Sequence, residues 1–247
     1  HADSLSIEVA LRGKQVLIDP GTYSYNSARA ARDHFRSTTA HNTLTVDGRS
    51  SSEPGGTFSW KTRAECSVSK WIAQDRFDYF EGQHNGYQRL ASPVIHERSI
   101  LFLKNDYVVI RDLAIASGDH EYSLNYQFPA DRVVHIDETG GFAESYDCRI
   151  FVFGDDGNLQ LEQSLISTRY GSTMEASKLS YSSTGRASQE FFSFILPRAD
   201  GQEEPFVREV PFEGGRAFSI TFEGYKDLII YGDSRMKLVK TELFESN

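Results

Sequence analysis

Cysteine is scarce in this chain: Cys66 and Cys148 are the only two among 247 residues. Two distant thiols make no disulfide framework; they pair if the protein is exported or stay as buried thiols, the second being the preferred reading. Basic charge is also short, with 26 Lys and Arg against 35 Asp and Glu, a net charge of -9. That balance argues against a nucleic-acid surface as the main business. A polyanionic ligand would have to be met by a local basic patch working against the global field. No apolar run approaches the roughly 20 residues that cross a bilayer as a helix. Helical periodicity does not persist over more than about ten residues anywhere. There is no internal repeat, no G-x-S-x-G nucleophile elbow, no phosphate loop and no C-x-x-C pair. No leader peptide is visible either. The chain opens on His1 almost at once in a strand pattern, which reads as a piece or processed product of something longer.

What is present is β material. Hydrophobic residues make up 39% and aromatics 13%, with 17 Phe and 12 Tyr, a composition that suits strands and sugar-facing surfaces alike. Residues 5–11, "LSIEVAL", alternate as a half-buried strand; "RGK" turns the chain into "QVLID", which ends at Asp19. "PGTYSYN" is turn chemistry. Residues 26–37 read as a short helix or an arginine-rich loop, and 42–47 as a further strand. "RSILFLKNDYVVIRDLAI" predicts a hairpin around Lys104–Asp106, "RIFVFGDDGNLQLEQ" one around Asp156-Gly157, and "AFSITFEGYKDLIIYGD" one around Glu223-Gly224. "EYSLNYQF" alternates, and "EFFSFILP" predicts a buried strand. Residues 183–189 and 198–205 are polar loops between strands. The expectation is an all-β, antiparallel β-sandwich of stacked sheets, one domain over residues 1–247.

Chemistry concentrates in the first 50 residues. His1 opens the first strand, Asp19 closes the second and His41 opens the third. If these strands are neighbours, their ends bring two imidazoles and a carboxylate together. That donor set leaves a fourth position open and suits zinc better than magnesium or calcium. Tyr23 and Tyr25 follow Asp19 on a turn; either packs at the sandwich end or acts as an acid/base. A phenolic base needs positive neighbours, and Arg29, Arg32 and Arg36 are candidates for that role or for gripping carboxylate and sulfate. They would equally serve as a solvated helix face. His84, in "GQHNGY", either touches a ligand or belongs to a turn. His96 reads as a sheet residue, His120 as a turn and His135 as a strand edge. Trp60, Trp71 and Tyr87 are candidate sugar-facing aromatics. Asn42, after His41, satisfies exposed amides at a strand end.

"HADSLSIEVALRGKQVLIDPGTYSY" followed by "FRSTTAHNTLTVDG" resembles the heparinase II/III-like polysaccharide lyase family, in the pattern H-x-D-x-x-S, D-x-G-x-x-x-Y and R-x-T-x-A-H-N-x-x-x-V-D-G. "GYQRL" and "PVIHERSILFLKNDYVVIRD" are similar to the strand pair that follows. The resemblance is clear over about residues 1–115, and further along rests on β character alone. It implies the sheet-rich C-terminal region of an enzyme whose N-terminal α-helical toroid, with its own catalytic Asn or His and Tyr, lies outside this sequence. A further histidine that the family carries two places before "HAD" would also lie outside it. The implied reaction is β-elimination on an acidic, uronate-containing polysaccharide such as a glycosaminoglycan or alginate, met in the periplasm or outside the cell. The implied metal ligands, usually to zinc, are again His1, Asp19 and His41. Within that scheme Tyr25 is the expected acid/base and Tyr23 the alternate. Arg36, Arg32, Asn42, Trp60 and His84 are expected to meet the substrate. Competing readings are a non-catalytic carbohydrate-binding or scaffolding sandwich and, more weakly, a hydrolase with paired carboxylates.

Overall fold

The computed structural model describes residues 1–26, 29–104, 106–198, 204–222, 224–232 and 235–242. A ribbon of β1 (Val9–Leu11) and β2 (Lys14–Leu17) comes first, followed by α1 (Arg29–Phe35), a 3-10 turn (Thr38–Ala40) and β3 (Leu44–Val46). The chain then runs through β4 (Cys66–Ala73), β5 (Phe77–His84), β6 (Val94–Leu103), β7 (Tyr107–Ala116) and β8 (His120–Gln127). Next come β9 (His135–Ile136), β10 (Phe142–Glu144), β11 (Cys148–Phe153), β12 (Asn158–Arg169), β13 (Ser172–Gly185) and β14 (Gln189–Pro197). The last four strands are β15 (Phe206–Val210), β16 (Gly215–Phe222), β17 (Tyr225–Gly232) and β18 (Arg235–Glu242).

An eight-stranded sheet, ordered β4-β5-β6-β7-β14-β11-β10-β9, is the middle layer. On one face lies β12-β13-β8-β3, and on the other β15-β16-β17-β18. "EFFSFILP" shows why the middle layer reads as a continuous apolar run. Phe191 and Ile195 point into the core shared with Tyr122, Leu124 and Leu179, whereas Phe192, Phe194 and Leu196 point into the core shared with Val207, Phe218 and Ile229. A strand covered on both faces has no polar side to show. The all-β, stacked antiparallel architecture expected from the pattern is the one observed.

Several local expectations fail, among them residues 183–185 of the expected 183–189 loop, which continue β13. Of "LSIEVAL" only Val9–Leu11 is strand; Leu5 sits at φ 60. The carbonyls of Leu5 and Ile7 are taken by the side chains of Arg98 and Asn42, each at 2.7 Å, so side chains replace a strand neighbour there. The hairpin expected at Asp156-Gly157 is a crossing between layers: β11 pairs with β10 and β14, and β12 pairs with β13. Gly154 and Gly157 let the chain pass against the rings of Phe191 and Tyr181. The hairpins β6–β7 and β16–β17 form as expected; their turn residues Asn105 and Glu223, and residues 199–203 of the expected 198–205 loop, lie outside the described residues. "RGK" is a two-residue turn with Arg12 at φ 49 and Gly13 at φ 78, the geometry that matches strand twist in a tight hairpin. Cys66 is exposed and Cys148 buried, both free.

Candidate metal centre and its surroundings

Asp19 follows β2 in the Asp-Pro-Gly turn, and the Gly21 amide donates to its Oδ1 at 2.8 Å. Gly21 has φ +79, and a Cβ there would overlap the Ser167 carbonyl, so glycine alone permits this close approach. The Asp19–Asn26 loop is zipped onto the β12–β13 hairpin: Ser167 N donates to Pro20 O and Gly171 N to Tyr23 O, both at 2.7 Å. His41 leaves the 3-10 turn with its ring fully buried; its Nδ1 lies 2.8 Å from Asp19 Oδ2. The ring of His1 lies 5.1 Å from that of His41, and its Nε2 is 3.0 Å from Thr22 Oγ1. The segment after His1 is anchored by Ala2 N donating to Arg36 O at 2.8 Å and by Thr38 Oγ1 donating to Ala2 O at 2.6 Å.

The three residues expected to converge therefore do, and a fourth joins them. His1, Asp3, Asp19 and His41 each offer a ligand atom, all within 4.8 Å of one another. Donors around a tetrahedral zinc lie roughly 3.4 Å apart, given bonds of about 2.1 Å, so modest contraction closes the set. Two imidazoles and two carboxylates suit zinc. The buried His41 Nε2 also has no hydrogen-bond partner, which fits a histidine that lacks one of its ligands. Burial works against Asp19, but the bond and charge of His41 and the Gly21 amide hold its carboxyl below the usual range. Asp3 stands two places from His1 in the "HAD" segment, a spacing that could have revealed it.

Around this cluster the expected substrate residues divide. Arg32, on α1, is 9% exposed; its guanidinium lies 4.9 Å from the centroid of the half-exposed Tyr25 ring and its Nη1 is 3.5 Å from His1 Nε2. Its Nε is buried without a partner, and it makes no ion pair among the described residues. Tyr23 turns its ring toward Phe35, 6.1 Å away. Arg36 is a correction. It is buried, bound to Asp33 at 2.6 and 3.0 Å and to the Gly56 and Thr57 carbonyls at 2.7 and 3.1 Å. It also covers the half-buried Trp60 at 5.0 Å, so the pair ties the 48–60 loop to α1, and four of the five guanidinium N–H groups are spent on protein acceptors.

Asn42 is a second correction. Its buried amide donates to Ile7 O and Ile18 O at 2.7 and 2.9 Å and accepts from Gln127 N at 2.5 Å. It staples together the segments that carry His41, Asp19 and the residues after His1. His84 is a third: it ends β5, 1% exposed, with Nε2 3.1 Å from His96 Nδ1. His96 Nε2 reaches Asp112 Oδ1 at 2.6 Å, and Arg98 binds both Asp112 oxygens at 2.7 and 3.1 Å. Arg98 also donates to Leu5 O and Asn42 O, each at 2.7 Å. The tautomers follow from one fixed donor. Gly86 N donates to His84 Nδ1 at 3.2 Å, so a neutral His84 carries its proton on Nε2 and donates to His96, which donates to Asp112. Burial first, then the charges of His96 and Arg98, push His84 down to about 2. Burial alone would raise Asp112; Arg98 and His96 override it and hold it at about 2. Of the candidate sugar-facing aromatics only Trp71 is largely exposed, while Tyr87 is fully buried. His120 begins β8 and pairs with Asp47 at 2.8 Å, where a turn was expected.

Two residues near the cluster escaped the sequence reading. Tyr170, at the tip of the β12–β13 hairpin, accepts from Tyr25 N at 3.2 Å and Ser24 Oγ at 3.3 Å. Phe58 packs its ring 5.5 Å from that of Tyr25. Neither carries a local sequence signal, because each reaches Tyr25 from a distant segment.

A stacked antiparallel β-fold with a His/Asp cluster at its rim is the class this chain defines. The chain belongs to the heparinase II/III-like C-terminal family, whose model matches residues 1–206. It is thus a C-terminal domain of a polysaccharide lyase family. It is 25% identical over 228 residues to a heparin-sulfate lyase of Pedobacter heparinus, covering 91% of this chain and 31% of that protein. A heparin-sulfate lyase of Bacteroides stercoris is 22% identical over 244 residues, covering 93% and 34%. Among solved structures, the heparan sulfate lyase HepC from Pedobacter heparinus superposes with TM-score 0.74 at 21% identity, over 100% of this chain and 38% of its own. A heparinase III structure does so with TM-score 0.70 at 13% identity, over 98% and 36%. The chain spans about a third of the length of the curated relatives it matches.

Proposed function

We propose that this chain is the C-terminal part of a lyase that cleaves uronate-containing acidic polysaccharide by β-elimination. The observation that carries the reading is one continuous string of contacts: the Tyr25 ring under the Arg32 guanidinium at 4.9 Å, and Arg32 against His1 of the His/Asp cluster at 3.5 Å. A phenol, an unpaired cation and a metal-binding set thus adjoin at one rim.

The residues divide the work as follows. Arg32 pairs with the uronate carboxylate and spreads the charge that develops as C5 loses its proton. The Tyr25 oxygen takes that proton, the electron pair forms the C4–C5 double bond, the C4–O bond breaks, and the same phenol returns the proton to the leaving oxygen. His1, Asp3, Asp19 and His41 would hold zinc or another divalent ion. When bound, that ion supplies local positive charge and ties the segments of the rim together. Elimination consumes no water nucleophile. Arg36, Asn42 and Trp60 act on the scaffold that presents Arg32 and the cluster. In this reading the remainder of the protein contributes the helical toroid, and the polymer is met in the periplasm or outside the cell.

The test uses the full-length protein and the ultraviolet absorbance of unsaturated uronate. Tyr25→Phe is expected to lower turnover at least 100-fold, the low end of what general acid–base catalysis supplies at about 10²–10⁴, while Tyr23→Phe stays within a few-fold. Release of saturated sugars only would defeat the reading and favour a hydrolase. Binding without any turnover would favour the carbohydrate-binding alternative.

A further inference from the structure

Large exposed side chains on a folded domain are usually scattered, and a contiguous group of them marks a contact surface. Tyr25, Phe58 and Tyr170 are 43%, 72% and 60% exposed. Their rings adjoin, Tyr25 lying 5.5 Å from Phe58 and 5.7 Å from Tyr170. Three separate segments deliver them, and the arrangement is braced. The Tyr170 oxygen takes hydrogen bonds from Tyr25 N and Ser24 Oγ, the neighbouring Gly171 amide holds Tyr23 O at 2.7 Å, and the Arg36–Trp60 tie secures the Phe58 loop.

Beside the rings sits Arg32. It is nine-tenths buried, with Nε unpartnered and no carboxylate in reach among the described residues. A guanidinium that has lost water without gaining an anion is held at a cost, which an arriving carboxylate or sulfate removes. An apolar partner, whether another part of the chain or a second copy, would cover the rings but leave this charge unpaired. A pyranose bearing an acidic substituent satisfies both features: its C–H face lies on the rings and its anion on the fork of the arginine. We propose that Phe58 and Tyr170, flanking Tyr25, form a stacking subsite for an acidic sugar residue whose carboxylate or sulfate pairs with Arg32. The identity of the ligand rests on the lyase reading; the existence of the subsite does not.

The experiment is titration calorimetry on the full-length protein in a Tyr25→Phe background, which keeps the ring and removes the phenol. The probes are uronate tetrasaccharides, one sulfated and one unsulfated. Phe58→Ala and Tyr170→Ala are each expected to weaken binding about 5- to 20-fold, and Phe58→Trp to remain within about two-fold of the parent. Arg32→Gln should weaken both probes at least 10-fold if it grips the carboxylate, and the sulfated one alone if it grips sulfate. Affinities unchanged in both alanine variants would overturn the subsite, even with unsaturated product still formed by the parent enzyme. So would a fall in melting temperature without a change in affinity, because the rings would then be packing against protein. Saturated products together with the expected affinity losses would instead remove the lyase reading and leave the subsite standing.

Discussion

His41 meets Asp19 at 2.8 Å on the rim, and His96 meets Asp112 at 2.6 Å inside the sheet. The side chains are the same; their surroundings give them opposite capacities. The inner pair is completely buried, and Arg98 binds both carboxylate oxygens while His84 fills the other imidazole nitrogen. One cation balances one anion, every polar atom of the pair is engaged, and nothing can be added. At the rim, the Asp19 side chain remains 36% exposed, His41 Nε2 lacks a partner, and His1 and Asp3 crowd in. Among the described residues neither Asp3 nor Asp19 pairs with a lysine or arginine, so both carboxylates keep lone pairs to offer an ion. His120 and Asp47 form a third pair at 2.8 Å, but no further ligands gather around it among the described residues. His120 Nε2 also lacks a partner and Asp47 is equally 36% exposed, so a histidine–aspartate pair is a structural post when other groups consume its lone pairs and charge, and a candidate ligand set only where further donors converge on it.

The largest effect should come from breaking the inner pair. Arg98→Met leaves Asp112 charged and buried and releases the Leu5 and Asn42 carbonyls, at an expected loss of about 3–5 kcal/mol in urea unfolding. Replacing both partners, Arg98→Met with Asp112→Leu, should recover part of that loss, because no uncompensated charge remains. A double variant as unstable as the single one would mean that the carbonyl contacts dominate.

Next comes the rim. With zinc at roughly a thousand times its dissociation constant, the intact chain should gain about 4 kcal/mol over chelated protein. His41→Ala should abolish that increment and the bound metal, read by metal analysis and thermal melting. An equal zinc increment in His41→Ala would remove the distinction between the two pairs.

The smallest effect is a slope with pH, measured on chelated protein so that metal release does not contribute. Folded His84 titrates at about 2 against an ordinary 6.5, so below 6.5 the unfolded chain binds a proton that the folded chain refuses. Its stabilising contribution is complete above pH 6.5 and declines as pH falls toward 2, by up to about 1.4 kcal/mol per pH unit. His84→Gln should flatten the dependence of the urea midpoint between pH 6.5 and 4.5. An unchanged slope would assign it to other groups.

The readable part of the site was its chemistry. Paired imidazole and carboxylate donors at strand ends pointed to His1, Asp19 and His41, and Arg32 was named from the arginines after Tyr25. Arg36, Asn42 and His84 carry the same polar character and were assigned to substrate. Their actual partners are the backbone carbonyls of Gly56, Thr57, Ile7 and Ile18, a backbone amide, and a second histidine. Every residue has a carbonyl and nearly every one an amide, so no side-chain pattern announces which of them will be bound. Phe58 and Tyr170 were missed for a related reason, since the Tyr25–Tyr170 contact joins residues 145 positions apart.

By itself the sequence determined the all-β class, the buried strand at 190–197, the β6–β7 and β16–β17 hairpins and the Arg12-Gly13 turn, because alternation of period two and the needs of positive φ are local properties of the chain. Only the tertiary structure decided that Asp156-Gly157 crosses between layers, that Leu5–Glu8 leaves the strand pattern, and which polar groups are spent and which remain open. Those outcomes depend on which distant segment arrives opposite each donor and acceptor, and that is fixed when the sheets stack.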